Sequence, residues 1–166
     1  MRFYGLALLA GAAVLGACGG GGENKAADTT AKAAPSNPPA AAPAPTSTVP
    51  KVAATGATHE IKMVGDDKGY RFEPADITIK AGDALKFIMV TGGPHNVAFD
   101  GETMPADAKA QLDANMDQKL GELQSPMLMN PNEAYTVSFG GVKPGKYTFH
   151  CTPHLAMNMK GSVTVQ

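Results

Sequence analysis

The sequence predicts an all-β fold, a sandwich of seven or eight short strands with one inserted helix, occupying residues 58–166 of the 166-residue chain. Three observations predict it. Apolar and polar residues alternate with a period of two over several short runs, turn residues separate those runs, and only one stretch carries a helical period.

In chain order, residues 59–64 alternate, residues 77–80 alternate, and residues 85–90 form a denser apolar run suited to a central strand. Gly65-Asp-Asp-Lys-Gly69, Glu73-Pro74 and Ala81-Gly82 are turns between them. Residues 96–99 make a short strand and residues 134–139 alternate up to Gly140-Gly141. Lys143-Pro-Gly145 then turns the chain into an alternating run that ends at Cys151, and residues 161–166 alternate as the last strand. The exception is residues 105–123, where Ala108, Leu112, Met116 and Leu120 recur every four residues among Asp, Lys, Gln and Asn, with Leu123 close behind. This spacing predicts a helix packed on the outside of the sandwich, with Pro105 in its first turn and Gly121 weakening its end.

The first third of the chain is of another kind. Residues 1–18 hold one early charge, Arg2, then an apolar run from Leu6 to Leu15 and small residues, as in a secretory signal. Leu15-Gly-Ala-Cys18 resembles the bacterial lipobox, in which cleavage leaves Cys18 as a lipidated N-terminus that anchors the protein to a membrane. Residues 19–57 are mostly Gly, Ala, Pro, Ser and Thr and predict a disordered linker, because too little apolar surface is available to offset the entropy of ordering. As a flexible coil it reaches roughly 35 Å, and as a polyproline-like chain about 120 Å. It is therefore a tether to the extracytoplasmic, periplasmic side of a membrane.

Removing Arg2, Lys25, Lys32, Lys51, Glu23 and Asp28 from the fourteen basic and fifteen acidic residues leaves ten and thirteen in the domain, a net of −3. With no basic tract, nucleic acid is excluded as a partner. The two cysteines, Cys18 and Cys151, do not suit a disulfide, which would tie the end of a signal sequence to the core.

The chemistry is concentrated in the last twenty residues. Tyr147, Phe149 and Cys151 fall on the apolar side of their strand, so the thiol ends on the buried face. Within one loop the order is then Cys151-x2-His154-x4-Met159: a thiolate, an imidazole and a thioether. Two histidines, a cysteine and a weak axial methionine make the blue-copper set. The second histidine must come from elsewhere, and His95, on the turn Thr91-Gly-Gly-Pro-His-Asn96, is the best candidate.

Pro94-His-Asn-Val97 together with residues 147–165, carrying CxxHxxxxM and GSVTV, resembles the small cupredoxins, plastocyanin above all, while His150-Cys-Thr-Pro-His154 is worded more like amicyanin. The resemblance covers residues 58–166 and implies a Greek-key sandwich holding one type 1 copper on His95, Cys151, His154 and Met159. Plastocyanin spacing selects Met159, whereas amicyanin's shorter loop would select Met157. It also implies that Asn96 ties the two ligand-bearing loops together, and that electrons pass at the edge of His154, ringed by Pro94, Pro153, Leu155 and Ala156. His59 and His150 are not expected to be ligands, and His150 stands where plastocyanin carries an aromatic residue before its cysteine.

The function so implied is a lipid-anchored, monomeric one-electron carrier between redox proteins, docking weakly near His154, and not an enzyme, since the protein supplies every donor. The alternative is copper trafficking or storage, motivated by eight methionines beyond the initiator, including Met127-Leu-Met129 and Met157-Asn-Met159, because thioethers select Cu(I).

Overall fold

The computed structural model describes residues 49–166. Among these residues, eight strands form two four-stranded sheets. The first sheet holds β1 (Thr58–Asp66), β2 (Gly69–Glu73), β4 (Ala84–Met89) and β6 (Ala134–Ser138) in the order β2-β1-β4-β6. The second holds β3 (Asp76–Ile79), β5 (Ala98–Phe99), β7 (Gly145–His150) and β8 (Lys160–Val165) in the order β3-β8-β7-β5. β1 pairs parallel with β4 and β3 with β8, and the other pairings are antiparallel. The sandwich expected from the alternating runs is present.

The inward residues of both sheets meet in one core. Ile61 and Met63, Leu85 and Phe87, Val137, and Phe149 are fully buried. Phe149 is the hub of an edge-to-face aromatic cluster, with ring centroids 4.9 Å from Phe72, 5.3 Å from Phe87 and 5.7 Å from Phe99. Each such ring contributes about 1.5–3 kcal/mol of burial free energy, and the offset geometry adds to it. Because Cys151 lies two residues beyond Phe149 on the same side of β7, the cluster fixes the height at which the thiol emerges.

The two ends of the sandwich are distinct. At one end β4 begins, β6 ends and Gln166 closes β8, with the Gly82 amide donating to the Phe139 carbonyl and the Phe139 amide to the Asp83 carbonyl. At the other end β4 delivers the chain toward His95, and β7 delivers Cys151.

Three features differ from the sequence expectation. The helix, α1 (Ala106–Asn115), stops eight residues short of Leu123. Ala108, Leu112 and Met116 are buried as their spacing predicts, but Leu120 is 59% exposed. At the last helical residue the Asn115 carboxamide ties α1 to other backbone: its Nδ2 donates to the carbonyls of Ser138 and Gly140 at 2.9 and 2.8 Å, and its Oδ1 accepts from the Val52 amide at 2.9 Å. Met116 continues extended, and the Asp113 carboxylate accepts the Leu123 amide, folding the following segment back.

The second difference is that the linker expected to run to residue 57 yields to structure at Pro50. Its carbonyl accepts from Gln111, the Val52 carbonyl accepts from Ser138 Oγ, the Thr55 and Gly56 amides donate to the Gly82 carbonyl, and the Ala57 amide donates to Asp83. Small residues bury little apolar surface here, so hydrogen bonds between the backbone of this strap and both side chains and backbone of the domain hold it. Residues 1–48, including the signal stretch, Cys18 and most of the linker, lie outside the described residues. Among the described residues, no helix is long and apolar enough to cross a membrane.

The third difference is β2. Only Phe72 of its five residues is buried, so the stretch carries no clear period, and it is a strand because β1 pairs with it from Lys62↔Glu73 to Asp66↔Gly69.

Candidate metal centre

Cys151 leaves β7 and enters a 3₁₀ segment, Thr152–Met157, which holds His154. Backbone hydrogen bonds close this loop on itself: the His154 amide donates to the Cys151 carbonyl at 3.1 Å, the Met159 amide to the His154 carbonyl at 3.2 Å, and the Cys151 amide to the Met159 carbonyl at 3.1 Å. Asn158, in the left-handed region at φ 61°, turns the chain into β8. Pro153 stiffens the first turn.

His95 comes from the crossing between the sheets. Its amide and carbonyl pair with Leu128, and its Nε2–H donates to the Thr91 carbonyl at 2.8 Å. That bond leaves Nδ1 as the unprotonated nitrogen, and Nδ1 faces Cys151 Sγ at 3.6 Å. His154 Nδ1 faces the same sulfur at 3.4 Å. The donor atoms of His95, Cys151 and His154 all lie within 4.8 Å of one another, and all three residues are buried.

Asn96 bridges the segment that carries His95 and the loop that follows Cys151. Its Oδ1 accepts the Thr152 amide at 2.8 Å and its Nδ2 donates to Thr152 Oγ1 at 3.2 Å. Gln124 also donates to that hydroxyl. Met159 is fully buried beside the loop, whereas Met157 is 54% exposed. His59 pairs with Asp83 at the far end of the sandwich, and His150 pairs with Asp100 at 2.7 Å on the opposite side of β7 from the thiol.

The electrostatics suit a cation. Burial pushes the Cys151 thiol above its ordinary value, while the amides of Asn96 and His154 oppose that shift. Burial also lowers His154, as does neighbouring His95, and it lowers His95 against the Thr91 carbonyl. The imidazoles are thus neutral donors, and a thiolate at this depth needs a cation beside it. One thiolate and two imidazoles converging in a buried pocket are a soft and borderline donor set that suits copper.

Three contributors escaped sequence reading: Thr91, whose carbonyl orients His95; Gln124, which supports Thr152; and Tyr70, whose ring stacks on His154 with centroids 3.8 Å apart and planes 15° from parallel. Thr91 and Gln124 carry no local signal, and Tyr70 sits in the strand whose period is absent.

A two-sheet sandwich with buried His, Cys and His donors at one end defines a small cupredoxin. The family of copper binding proteins, plastocyanin/azurin family, matches residues 59–166, and the chain belongs to it. The chain is 40% identical over 105 residues to the chloroplastic plastocyanin of Physcomitrium patens, covering 63% of this chain and 56% of that one. To the plastocyanin of Rumex obtusifolius it is 36% identical over 107 residues, covering 64% of this chain and 99% of the relative. Among solved structures it is similar to oxidised plastocyanin from Dryopteris crassirhizoma, with a TM-score of 0.52 and 33% identity over 65% of this chain and all of that one. Copper is accordingly the cofactor, and the family places the chain among blue-copper electron carriers.

Proposed function

We propose that the protein is a lipid-anchored one-electron carrier whose copper is held by His95, Cys151, His154 and Met159, working between redox proteins on the extracytoplasmic side of a bacterial membrane. The observation that carries the site assignment is the convergence of His95 Nδ1 and His154 Nδ1 on the Cys151 sulfur in a buried pocket. The full burial of Met159 supports it as the axial donor over Met157.

Bound copper supplies a one-electron couple. The residues do the rest. Thr91, Asn96 and the loop's own backbone bonds hold the donors in place before metal arrives, so little of the protein has to move when the charge changes. Burial excludes water from the thiolate. All donors come from the chain, which favours electron passage over bond chemistry. His154, 6% exposed, is the route to the surface, and Pro94, Pro153, Leu155 and Ala156 around it are exposed and apolar. A small apolar contact suits brief docking of a redox protein onto a monomer. Cys18 supplies the membrane anchor.

The trafficking alternative draws little support from the methionines, because Met63, Met89, Met104, Met116 and Met159 are buried and only Met129 and Met157 are well exposed. Core packing accounts for Met63, Met89, Met104 and Met116, and the copper site for Met159.

The test is to express the full chain in a bacterium, load it with Cu(II) and record visible and electron paramagnetic resonance spectra, with mass spectrometry of the N-terminus. An intense thiolate-to-copper band with narrow hyperfine splitting, stable through repeated redox cycles, and a diacylglyceryl mass on Cys18 are expected. Tetragonal, colourless copper binding, or transfer of Cu(I) to an acceptor in place of cycling, would overturn the carrier. An unmodified Cys18 would overturn the anchor.

A further inference from the structure

The tip of the β1–β2 hairpin reaches both imidazoles of the copper centre. Tyr70 pairs in register with Gly65, and its ring lies across that glycine: a Cβ on Gly65 would come within 2.6 Å of Tyr70 Cε1 and 2.9 Å of Gly92 Cα. The missing side chain opens the slot the ring occupies. From there Tyr70 stacks nearly parallel on His154 at 3.8 Å and meets His95 edge-on at 6.1 Å. The Gly65 amide donates at 2.9 Å to the Thr91 carbonyl, the same oxygen that accepts His95 Nε2–H. One hairpin therefore steadies His154 through a ring face and His95 through a shared carbonyl.

From this arrangement we propose that Tyr70 is a positioning residue for His154 that also tunes the copper potential, an inference resting on His154 being a copper ligand. Among the described residues His154 Nε2 has no hydrogen-bond partner, in contrast to His95 Nε2, so the stacked phenol is the contact that sets its ring plane. The electron-rich ring face favours the more positive partner. It thus stabilises the oxidised centre over the reduced one and holds the potential down. A fixed imidazole plane also lowers the rearrangement that accompanies each electron.

The experiment compares the copper-loaded full chain with Tyr70→Leu and Tyr70→Phe, reading the potential by voltammetry, copper affinity by competition with a chelator, and self-exchange by nuclear magnetic resonance line broadening. Tyr70→Leu should keep the blue band, raise the potential, and lower affinity or self-exchange about tenfold. Tyr70→Phe should restore all three toward the unsubstituted values, because the face is retained. Gly65→Ala, which displaces the ring without removing it, should shift the potential the same way, and stands in for Tyr70→Leu should that variant fail to fold. A blue protein whose potential, affinity and self-exchange are unmoved by Tyr70→Leu, or whose potential is unmoved by Gly65→Ala in its place, overturns the role of Tyr70 alone. A colourless unsubstituted chain overturns the copper ligand assignment and this proposal with it.

Discussion

The amide of Cys151 donates to the carbonyl of Met159 at 3.1 Å, so the residue that opens the loop and the residue that closes it are tied to each other by backbone. Their side chains therefore keep a fixed relationship, and Met159 is fully buried while Met157, two residues earlier, is open to solvent. Met159→Gln should keep the blue colour and lower the reduction potential, since the axial donor tunes the potential and Gln serves as a weak axial ligand. Met157→Gln should leave both unchanged. Voltammetry of the two variants side by side checks the assignment, and the reverse pattern would move the axial role to Met157.

Cys151→Ser should remove the thiolate charge-transfer band completely while leaving the sandwich folded. The sulfur is the only thiolate donor in the cluster, and the core below it is organised by Phe149, which the substitution does not touch. Visible absorption and far-ultraviolet circular dichroism of the same sample read both halves of the expectation. Retained colour would take Cys151 out of the site.

Asn115→Ala should destabilise the domain by about 2–4 kcal/mol, because it leaves the buried carbonyls of Ser138 and Gly140 without a donor and frees the Val52 amide. The strap should loosen with it. Urea denaturation gives the stability, and hydrogen exchange at Val52 gives the strap: faster exchange there with unchanged exchange at Cys151 is the expected outcome. Equal stability would mean that water replaces the carboxamide.

The amide of Lys80 and the ring of His59 hold the Asp83 carboxyl below its ordinary value of 3.8, and burial opposes them. A carboxyl depressed in the folded state stabilises the fold above the unfolded-state pKa, and that stability is lost as pH falls through the lower folded-state value. Urea midpoints should accordingly fall on acidification below about pH 4, where the unfolded carboxyl begins to take up its proton. Asp83→Asn should flatten that part of the profile and should also loosen Ala57, whose amide Asp83 accepts. An unchanged acid limb would assign the loss of stability to other carboxylates.

Much of the site was legible because much of it is local. Cys151, His154 and Met159 lie in one loop, so their spacing along the chain limits their spacing in space, and the alternation of residues 146–151 already set the thiol on the buried face. Strands β1, β3, β6, β7 and β8 were legible because each buries one face and burial with a period of two leaves a written pattern, and β4 because a central strand reads as a dense apolar run. β2 was not, because four of its five residues are half-buried or exposed and only its partner makes it a strand. The helix was overrun because four-residue spacing continues through Met116 to Leu120, while the Asn115 carboxamide is drawn to backbone acceptors more than twenty residues away.

By itself the sequence determined the class of fold and the loop that gathers the candidate donors Cys151, His154 and Met159, since these depend on residue chemistry and short-range geometry. Tertiary structure alone decided that His95 meets that loop with Nδ1 forward, that Met159 is buried and Met157 is not, that residues 50–57 belong to the domain, and that Tyr70 lies on His154. Each of these turns on a contact between segments far apart in the chain, and closing such distances is accomplished by the packing of the two sheets as a whole, which no local pattern records.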